Sequence, residues 1–226
     1  MTKLIVIYIL IIVLPKHGFG QSFFRVKADF SIKSKSADGT GSLTMGTAYY
    51  DINTGKIIFK NHFPEKETWI LTDTLIIKIT NDKVTEKKTT PALTKMSIFH
   101  LFLCGDLPNY GLKNSLYSLD NVEKDQGLVI STWKPPEAFS EVIGKILISN
   151  KEKKLHGMIF YNAKDTIISK QFFKKYQSIQ GLEFPTEVVQ ILYLNNKESY
   201  QVTTYKNIVV NDTNENNMYD HPVPEY

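Results

Sequence analysis

The chain has 226 residues, of which 42% are hydrophobic and 22% are charged, and its formal net charge is +4 at pH 7. A charge so close to neutral, carried by scattered lysines, argues against nucleic-acid binding, which usually needs a concentrated basic patch. The single cysteine, Cys104, excludes an intramolecular disulfide bond. The length is sufficient for one sizeable hydrophobic core, and no composition shift marks a domain boundary, so we expect a single domain.

The N-terminus has the pattern of a secretory signal peptide. Lys3 is followed by an unbroken apolar run over 4–14 and then by small residues at Gly18 and Gly20. This run is about half of the roughly 20 residues that a membrane-spanning helix needs. We therefore predict a signal peptide over 1–20, cleaved after Gly20, and an exported chain over 21–226. The alternative is an uncleaved anchor.

Several short strands are predicted in the first third of the mature chain. Apolar and polar residues alternate over 24–33, which is typical of a half-buried strand, and Asp38-Gly39 favours a hairpin turn before a return strand over 43–49. Three more apolar runs, at 56–60, 68–72 and 75–79, are separated by turn residues and predict an antiparallel meander. The residues predicted to face inward are Tyr49, Ile57, Phe59, Trp69, Leu71, Leu75 and Ile77.

One helix is predicted after the polar segment 83–90. Thr90 is a suitable N-cap, Pro91 suits the first helical position, and Gly105 suits the end. Between them, apolar residues recur at steps of three and four, which indicates a helix over 91–104. Because so much of this helix is apolar, we expect it to lie against the sheet.

Hairpins continue to about residue 210. Strands are predicted at 116–122, 127–133, 144–149, 155–161, 166–176, 187–194 and 199–210, and the tail from about 212 is expected to be irregular. About eleven strands and few helices predict a mainly β (α+β) fold with one highly curved antiparallel sheet, a half-barrel. Such a sheet encloses more space than its own side chains fill. The helix would then be a lid over an apolar cavity.

Four features resemble one known family. They are the signal peptide, the Gly-Lys-Ile-Ile-Phe strand at 55–59 followed by Pro64, Trp69 and Asp73, the helix start at 90–93, and the Gly-Leu-Glu-Phe-Pro run at 181–185 before a long hairpin ending near residue 211. Over about 24–211 the chain is similar to the outer-membrane lipoprotein carrier (LolA-like) family. The resemblance implies a half-barrel with helices over its open side, which takes up the acyl chains of a lipoprotein and ferries it through the periplasm.

Eight apolar side chains are the candidate ligand-binding residues of the cavity and lid. They are Tyr49, Phe59, Trp69, Leu71, Met96, Phe99, Phe102 and Trp133. For any one of them the alternative is an ordinary core position, because aromatic residues dominate protein cores. Phe99 and Phe102 are equally compatible with a movable lid and with a permanent plug.

No catalytic residues, metal ligands or cofactor are predicted. His100 and Cys104 are one helical turn apart, but a metal site needs three or four ligands and no others are near in sequence. An apolar helix also disfavours the thiolate form that a nucleophilic cysteine needs. An exported hydrolase is therefore the weakest of the functional hypotheses.

The function predicted from these patterns is a periplasmic carrier for lipoproteins or other acylated lipids. Its expected partners are lipid or lipoprotein acyl chains and an inner-membrane transporter or outer-membrane acceptor, and the protein is expected to be a monomer. The alternative is a module of the same fold that senses envelope lipids or lipoproteins and signals to a protein partner without transferring cargo.

Overall fold

The computed structural model describes residues 23–89, 94–195 and 197–222, and over these residues it is mainly β, as predicted. The predicted signal peptide 1–20 lies outside the described residues. The strands are β1 (Arg25–Lys35), β2 (Gly41–Asp51), β3 (Lys56–Phe63), β4 (Glu67–Leu71), β5 (Leu75–Thr80), β6 (Lys83–Thr89), β7 (Ser118–Asp125), β8 (Leu128–Lys134), β9 (Ile146–Lys151), β10 (Lys154–Tyr161), β11 (Ile167–Ile179), β12 (Leu182–Leu194) and β13 (Lys197–Val210). The α-helices are α1 (Ile98–Cys104) and α2 (Asn216–Tyr219), with short 3-10 turns at Leu107–Asn109, Leu112–Asn114 and Glu137–Phe139.

All thirteen described strands form one open antiparallel sheet, in the order β6-β5-β4-β3-β2-β1-β13-β12-β11-β10-β9-β8-β7. Each strand from β1 to β6, and from β7 to β13, pairs with the next in the chain, because antiparallel neighbours need only short turns between them. The two meanders are joined by the pairing of β1 with β13, in which Phe30 lies opposite Tyr205. The predicted single antiparallel sheet is confirmed.

The predicted count of about eleven strands is too low. The segment predicted as a polar lead-in to the helix is in fact β6, an exposed strand at the edge of the sheet. It lacks the apolar alternation of a half-buried strand, since all its residues are exposed except Val84, which packs against a buried cluster. Asn81 and Asp82, with φ of 52° and 58°, form the tight turn that returns the chain from β5.

Helix α1 begins later than predicted. It starts at Ile98, and Ser97 is its N-cap, with the Oγ atom accepting a hydrogen bond from the His100 N–H at 3.2 Å. The predicted cap at Thr90 and first position at Pro91 lie outside the described residues, and 94–96 form a turn. The predicted end is confirmed, because Gly105 adopts a left-handed φ of 72° and its N–H bonds to the last helical carbonyls.

The sheet carries one apolar cluster on each face, and we call the face that carries α1 the inner face. Its large hydrophobic cluster includes all four buried apolar residues of α1 with residues as distant in the sheet as Ile57 on β3 and Trp133 on β8. Strands that are eight places apart in the sheet order therefore share one core. An open sheet of this many strands curls, and α1 packs on its inner face.

Over β2 and β3 the opposite, outer face is covered by the C-terminal segment, which was predicted to be irregular. The ring of Tyr219 in α2 is 1% exposed and packs edge to face on Tyr49, with 5.4 Å between the ring centroids. Arg25 holds the segment in place: its guanidinium pairs with Asp51 at 2.7 Å, donates to the Asp212 carbonyl oxygen at 3.2 Å, and lies 4.5 Å from the centre of the Tyr219 ring. The prediction of an irregular tail is therefore wrong for 216–219, which form α2.

Replacing Tyr219 with Ala is expected to lower the free energy of unfolding by on the order of 3 kcal/mol, because it leaves a cavity over the outer cluster. Thermal or urea unfolding measures the loss. Tyr200→Ala is the matched control, since Tyr200 is 41% exposed and should change stability by less than about 0.5 kcal/mol. Equal stability of the two variants would contradict the docking of α2.

Candidate functional site

An apolar groove of about 320 Å³ lies on the inner face across β1 to β5. It crosses four strand-to-strand steps of about 4.8 Å each, which makes it roughly 19 Å across. None of the side chains that line it is charged. They belong to Phe30, Ile32, Thr44, Phe59, Asn61, Trp69, Leu71 and Ile76.

Small residues on β2 shape the inner face beside the groove. Gly46 lies opposite Phe30, and Ala48 lies opposite Phe59, so no large side chain separates the two rings, which meet edge to face with 5.4 Å between centroids. A Cβ atom at Gly46 would lie 2.3 Å from the carbonyl oxygen of Lys60, so the close approach of β3 requires glycine there.

Three of the eight predicted ligand-binding residues line this groove: Phe59, Trp69 and Leu71. The indole of Trp69 is oriented by a hydrogen bond from its Nε1–H to Glu67 Oε2 at 3.1 Å. Glu67 in turn pairs with Lys78 at 2.6 Å. The Lys78 ammonium also lies over the indole, 5.4 Å from the ring centroid, so this ion pair borders the groove at Trp69.

Phe99, Phe102 and Trp133 lie on the inner face too, but within the packed cluster and outside the groove. Phe102 is 1% exposed and packs edge to face against Phe184 on β12, with 4.8 Å between the ring centroids. Phe99 stacks on Phe184 and contacts Tyr205, with 5.5 Å between the ring centroids of Phe99 and Tyr205. In this structure the two rings of α1 therefore fill one end of the inner face.

The prediction that Tyr49 faces inward is wrong. Tyr49 lies in the outer cluster with Ile77 and Leu75, which were also predicted to face inward, whereas Tyr50 belongs to the inner cluster. Two adjacent tyrosines make the alternation ambiguous, and a one-residue shift exchanges the faces of a strand. Met96, the remaining predicted residue, precedes α1 and is 39% exposed.

A hydrogen bond between β2 and α1 was not predicted from the sequence. The Tyr50 hydroxyl lies 2.6 Å from Nδ1 of His100, and His100 Nε2 lies 3.6 Å from the Cys104 sulfur. Burial lowers the pKa of His100 and raises the pKa of Tyr50 well above its usual value, so both groups are neutral at pH 7. The hydroxyl then donates to Nδ1. Burial also raises the pKa of the Cys104 thiol, which disfavours a thiolate.

The lowered pKa of His100 predicts a pH dependence of stability. Below the ordinary histidine pKa of 6.5 the unfolded chain takes up a proton that the folded chain does not bind, so acidification favours unfolding. The stabilisation is therefore complete above about pH 6.5 and is lost as the pH falls through the folded-state pKa. Urea unfolding of wild type and His100→Asn between pH 8 and pH 5 measures it. The free energy of unfolding should fall less steeply with decreasing pH in the variant than in wild type. An equal pH dependence in the two proteins would contradict the prediction.

Two other observations bear on the kind of site. Within 23–89, 94–195 and 197–222 no three His, Cys, Asp or Glu side chains are grouped so as to hold a metal ion. In the same residues no helix has both the length and the apolar character needed to cross a membrane. The absence of catalysis and of a cofactor remains a prediction.

Comparison with known proteins finds similarity in structure but not in sequence. No family model and no curated protein matches the chain. A LolA superfamily protein from Nitrosomonas europaea superimposes with a TM-score of 0.57 at 13% identity, over 88% of this chain and 91% of the other. The fold is LolA-like.

Two further solved structures are similar to this chain. A DUF1329 family protein from Desulfovibrio piger gives a TM-score of 0.61 at 11% identity, over 89% of this chain and 91% of the other. A domain from Vibrio parahaemolyticus that is assigned to outer-membrane lipoprotein sorting gives a TM-score of 0.62 at 11% identity, over 88% of this chain and 91% of the other. The LolA-like fold implied by the sequence resemblance is therefore confirmed for a divergent chain, whereas the helical lid over a cavity remains a prediction.

Proposed function

We propose that this LolA-like protein binds the acyl chains of lipoproteins or other acylated lipids in the groove across β1 to β5 and carries them through the periplasm as a monomer. The observation that carries the proposal is the groove itself, an apolar channel left open on the inner face of a curved sheet. The structural neighbour assigned to outer-membrane lipoprotein sorting supports the choice of cargo. The predicted signal peptide supports the periplasmic location.

The groove offers enough apolar surface for useful affinity. About a dozen buried methylenes contribute roughly 10 kcal/mol, at about 0.8 kcal/mol each, before the entropic cost of association is subtracted. An association cost of about 4 kcal/mol leaves roughly 6 kcal/mol, which corresponds to a dissociation constant of tens of micromolar. Such an affinity suits a carrier, because the cargo must also be released.

In this proposal α1 is the lid. Burial of one Phe side chain contributes roughly 1.5–3 kcal/mol, so a chain of about a dozen carbons can compete with Phe99 and Phe102 together. The segment before α1 is held to the β4–β5 turn by a hydrogen bond from Thr94 to Asp73 and by an ion pair of Lys95 with Asp73 at 3.7 Å. The ion pair is exposed and therefore weak, whereas Thr94 is 1% exposed, so movement of α1 also has to break its hydrogen bond to Asp73.

We further propose that the protein is not an enzyme. None of the residues lining the groove has a titratable side chain that could act as a general acid, general base or nucleophile. Tyr50 on β2 and His100 in α1 hold each other as neutral partners. Binding without turnover is the chemistry that remains.

The proposal is tested by titrating the purified protein with N-phenylnaphthylamine, an uncharged fluorescent apolar probe, and displacing the probe with a diacylated lipopeptide. Fluorescence enhancement and its reversal by the lipopeptide are expected. A second assay then measures delivery of the lipopeptide from inner-membrane to outer-membrane vesicles. Lack of probe binding would overturn the acyl-binding function, whereas binding with retention of cargo and a stable complex with a membrane protein would indicate a sensing module.

A further inference from the structure

A second, smaller groove of about 170 Å³ lies on the inner face, beneath Ile98 of α1 and Tyr110. Its floor is a row of glutamines from three adjacent strands, since Gln171 on β11 pairs with Gln190 on β12, and Gln190 pairs with Gln201 on β13. We call it the glutamine groove. Its polar floor interrupts a face that is otherwise mostly apolar.

The polar groups of the glutamine groove have few partners within the chain. Gln201 donates to the Thr203 hydroxyl at 3.4 Å. In the described part of the chain, no hydrogen bond joins the side-chain amides of Gln171 and Gln190, or the hydroxyls of Tyr110 and Tyr205, to another group. These four side chains are half-buried and their polar atoms are not fully shielded from solvent, so they are free to pair with a ligand that enters the groove.

The groove is also without charge. Its lining consists of glutamine, threonine, tyrosine and apolar side chains. Burial raises the pKa of Tyr110 to about 12 and raises that of Tyr205 well above its usual value, so both are neutral hydroxyl donors. By contrast, a groove of about 460 Å³ on the outer face, beside Tyr49, is lined in part by lysine, histidine and acidic residues. Amide and hydroxyl groups without a counter-charge suit a neutral carbonyl and make a carboxylate costly to desolvate.

The two inner-face grooves adjoin each other where β1 pairs with β13. Ile32 of the apolar groove lies opposite Thr203 of the glutamine groove, and Phe30 lies opposite Tyr205. Neighbouring strands are only about 4.8 Å apart. One ligand can therefore place a hydrocarbon chain in the apolar groove and its polar linkage over the glutamines.

We propose that the glutamine groove binds the uncharged ester or amide linkage of an acylated ligand, so that the protein prefers acyl esters and acyl amides to free fatty acids of the same length. This inference rests on the proposed acyl-binding function. The side-chain N–H groups of Gln171 and Gln190 donate to the linkage carbonyl. Their carbonyl oxygens accept from an amide or hydroxyl of the ligand. The same chemistry occurs in an acylglycerol and in the acylated N-terminus of a lipoprotein.

The test displaces bound N-phenylnaphthylamine with palmitoylglycerol, a palmitoylated lipopeptide or palmitate. Wild type should bind at least one of the first two about tenfold more tightly than palmitate, and which of them is preferred identifies the source of the ligand. Gln190→Leu nearly keeps the side-chain volume. Its affinity for the preferred neutral ligand should fall about three- to tenfold, which corresponds to the loss of one hydrogen bond. Its binding of N-phenylnaphthylamine and palmitate should change less than about twofold, a change too small for one lost hydrogen bond.

Gln177→Leu, an exposed position on the same strand as Gln171, is the matched control and should behave as wild type. Equal affinity of wild type for palmitate and both neutral ligands, or an unchanged preference in Gln190→Leu, would overturn the inference. Those results would leave the acyl-binding function standing, because they presuppose that the probe binds. Absence of probe binding to wild type would instead overturn the proposed function.

Discussion

Replacing Leu71 with Glu is expected to weaken the binding of N-phenylnaphthylamine and of acyl ligands by about a hundredfold or more. The side chain lies on the wall of the apolar groove, so a bound chain would remove the new carboxylate from water without giving it a partner. A penalty of about 3 kcal/mol is sufficient for a hundredfold loss. Fluorescence titration measures the change, and circular dichroism checks that the sheet is retained.

The matched control is Thr68→Glu, on the same strand but on the outer face, where Thr68 lies opposite Lys60. It introduces the same charge and should alter probe affinity by less than about twofold, a difference under about 0.5 kcal/mol. Similar losses in the two variants would indicate a general effect of charge on the sheet. Wild-type affinity in a folded Leu71→Glu protein would exclude the groove across β1 to β5 as the binding site.

Replacing Phe102 with Ala is expected to lower the free energy of unfolding by about 3–5 kcal/mol and, at the same time, to increase the affinity for the acyl probe. The stability loss follows from deleting a fully buried ring that packs on Phe184. The gain in affinity follows from the lid role of α1, because a ligand entering this end of the inner face no longer has to displace the ring. Urea unfolding and probe titration measure the two effects.

Met96→Ala serves as the control, since Met96 is 39% exposed and belongs to the same connection between β6 and β7. It should change the free energy of unfolding by less than about 1 kcal/mol. If Phe102→Ala destabilises the protein without any gain in probe affinity, then α1 is a permanent plug and the lid proposal is wrong. If its stability is unchanged, the packing of Phe102 against Phe184 does not describe the protein in solution.

Local patterns were sufficient for most of the strands and for the end of α1. The alternation that predicted β1 arises because one face of that strand is buried and the other is wet, and Gly105 ends the helix because glycine adopts a left-handed φ readily. The edge strand β6 has neither signal. It is held by its turn and by backbone pairing with β5, and backbone pairing leaves no mark on side-chain polarity.

Faces were harder to assign than strands. Tyr49 and Tyr50 are equally apolar neighbours, and only the packing of α2 on one side of β2 and of α1 on the other decides which tyrosine each face receives. The same holds for Tyr219, whose place over the outer cluster depends on Arg25 at the far end of the chain. Side-chain periodicity carries no information about which distant segment covers a face.

The sequence by itself determined a mainly β chain of consecutive hairpins with one buried helix, because turns, alternation and helix ends depend on residues only a few positions apart. Only the tertiary structure decided where a ligand could bind. The apolar groove and the glutamine groove adjoin only because β1 pairs with β13, so that Phe30 lies opposite Tyr205. β1 and β13 lie near opposite ends of the described chain, so their pairing depends on how all the strands between them pack. No local sequence pattern contains that information.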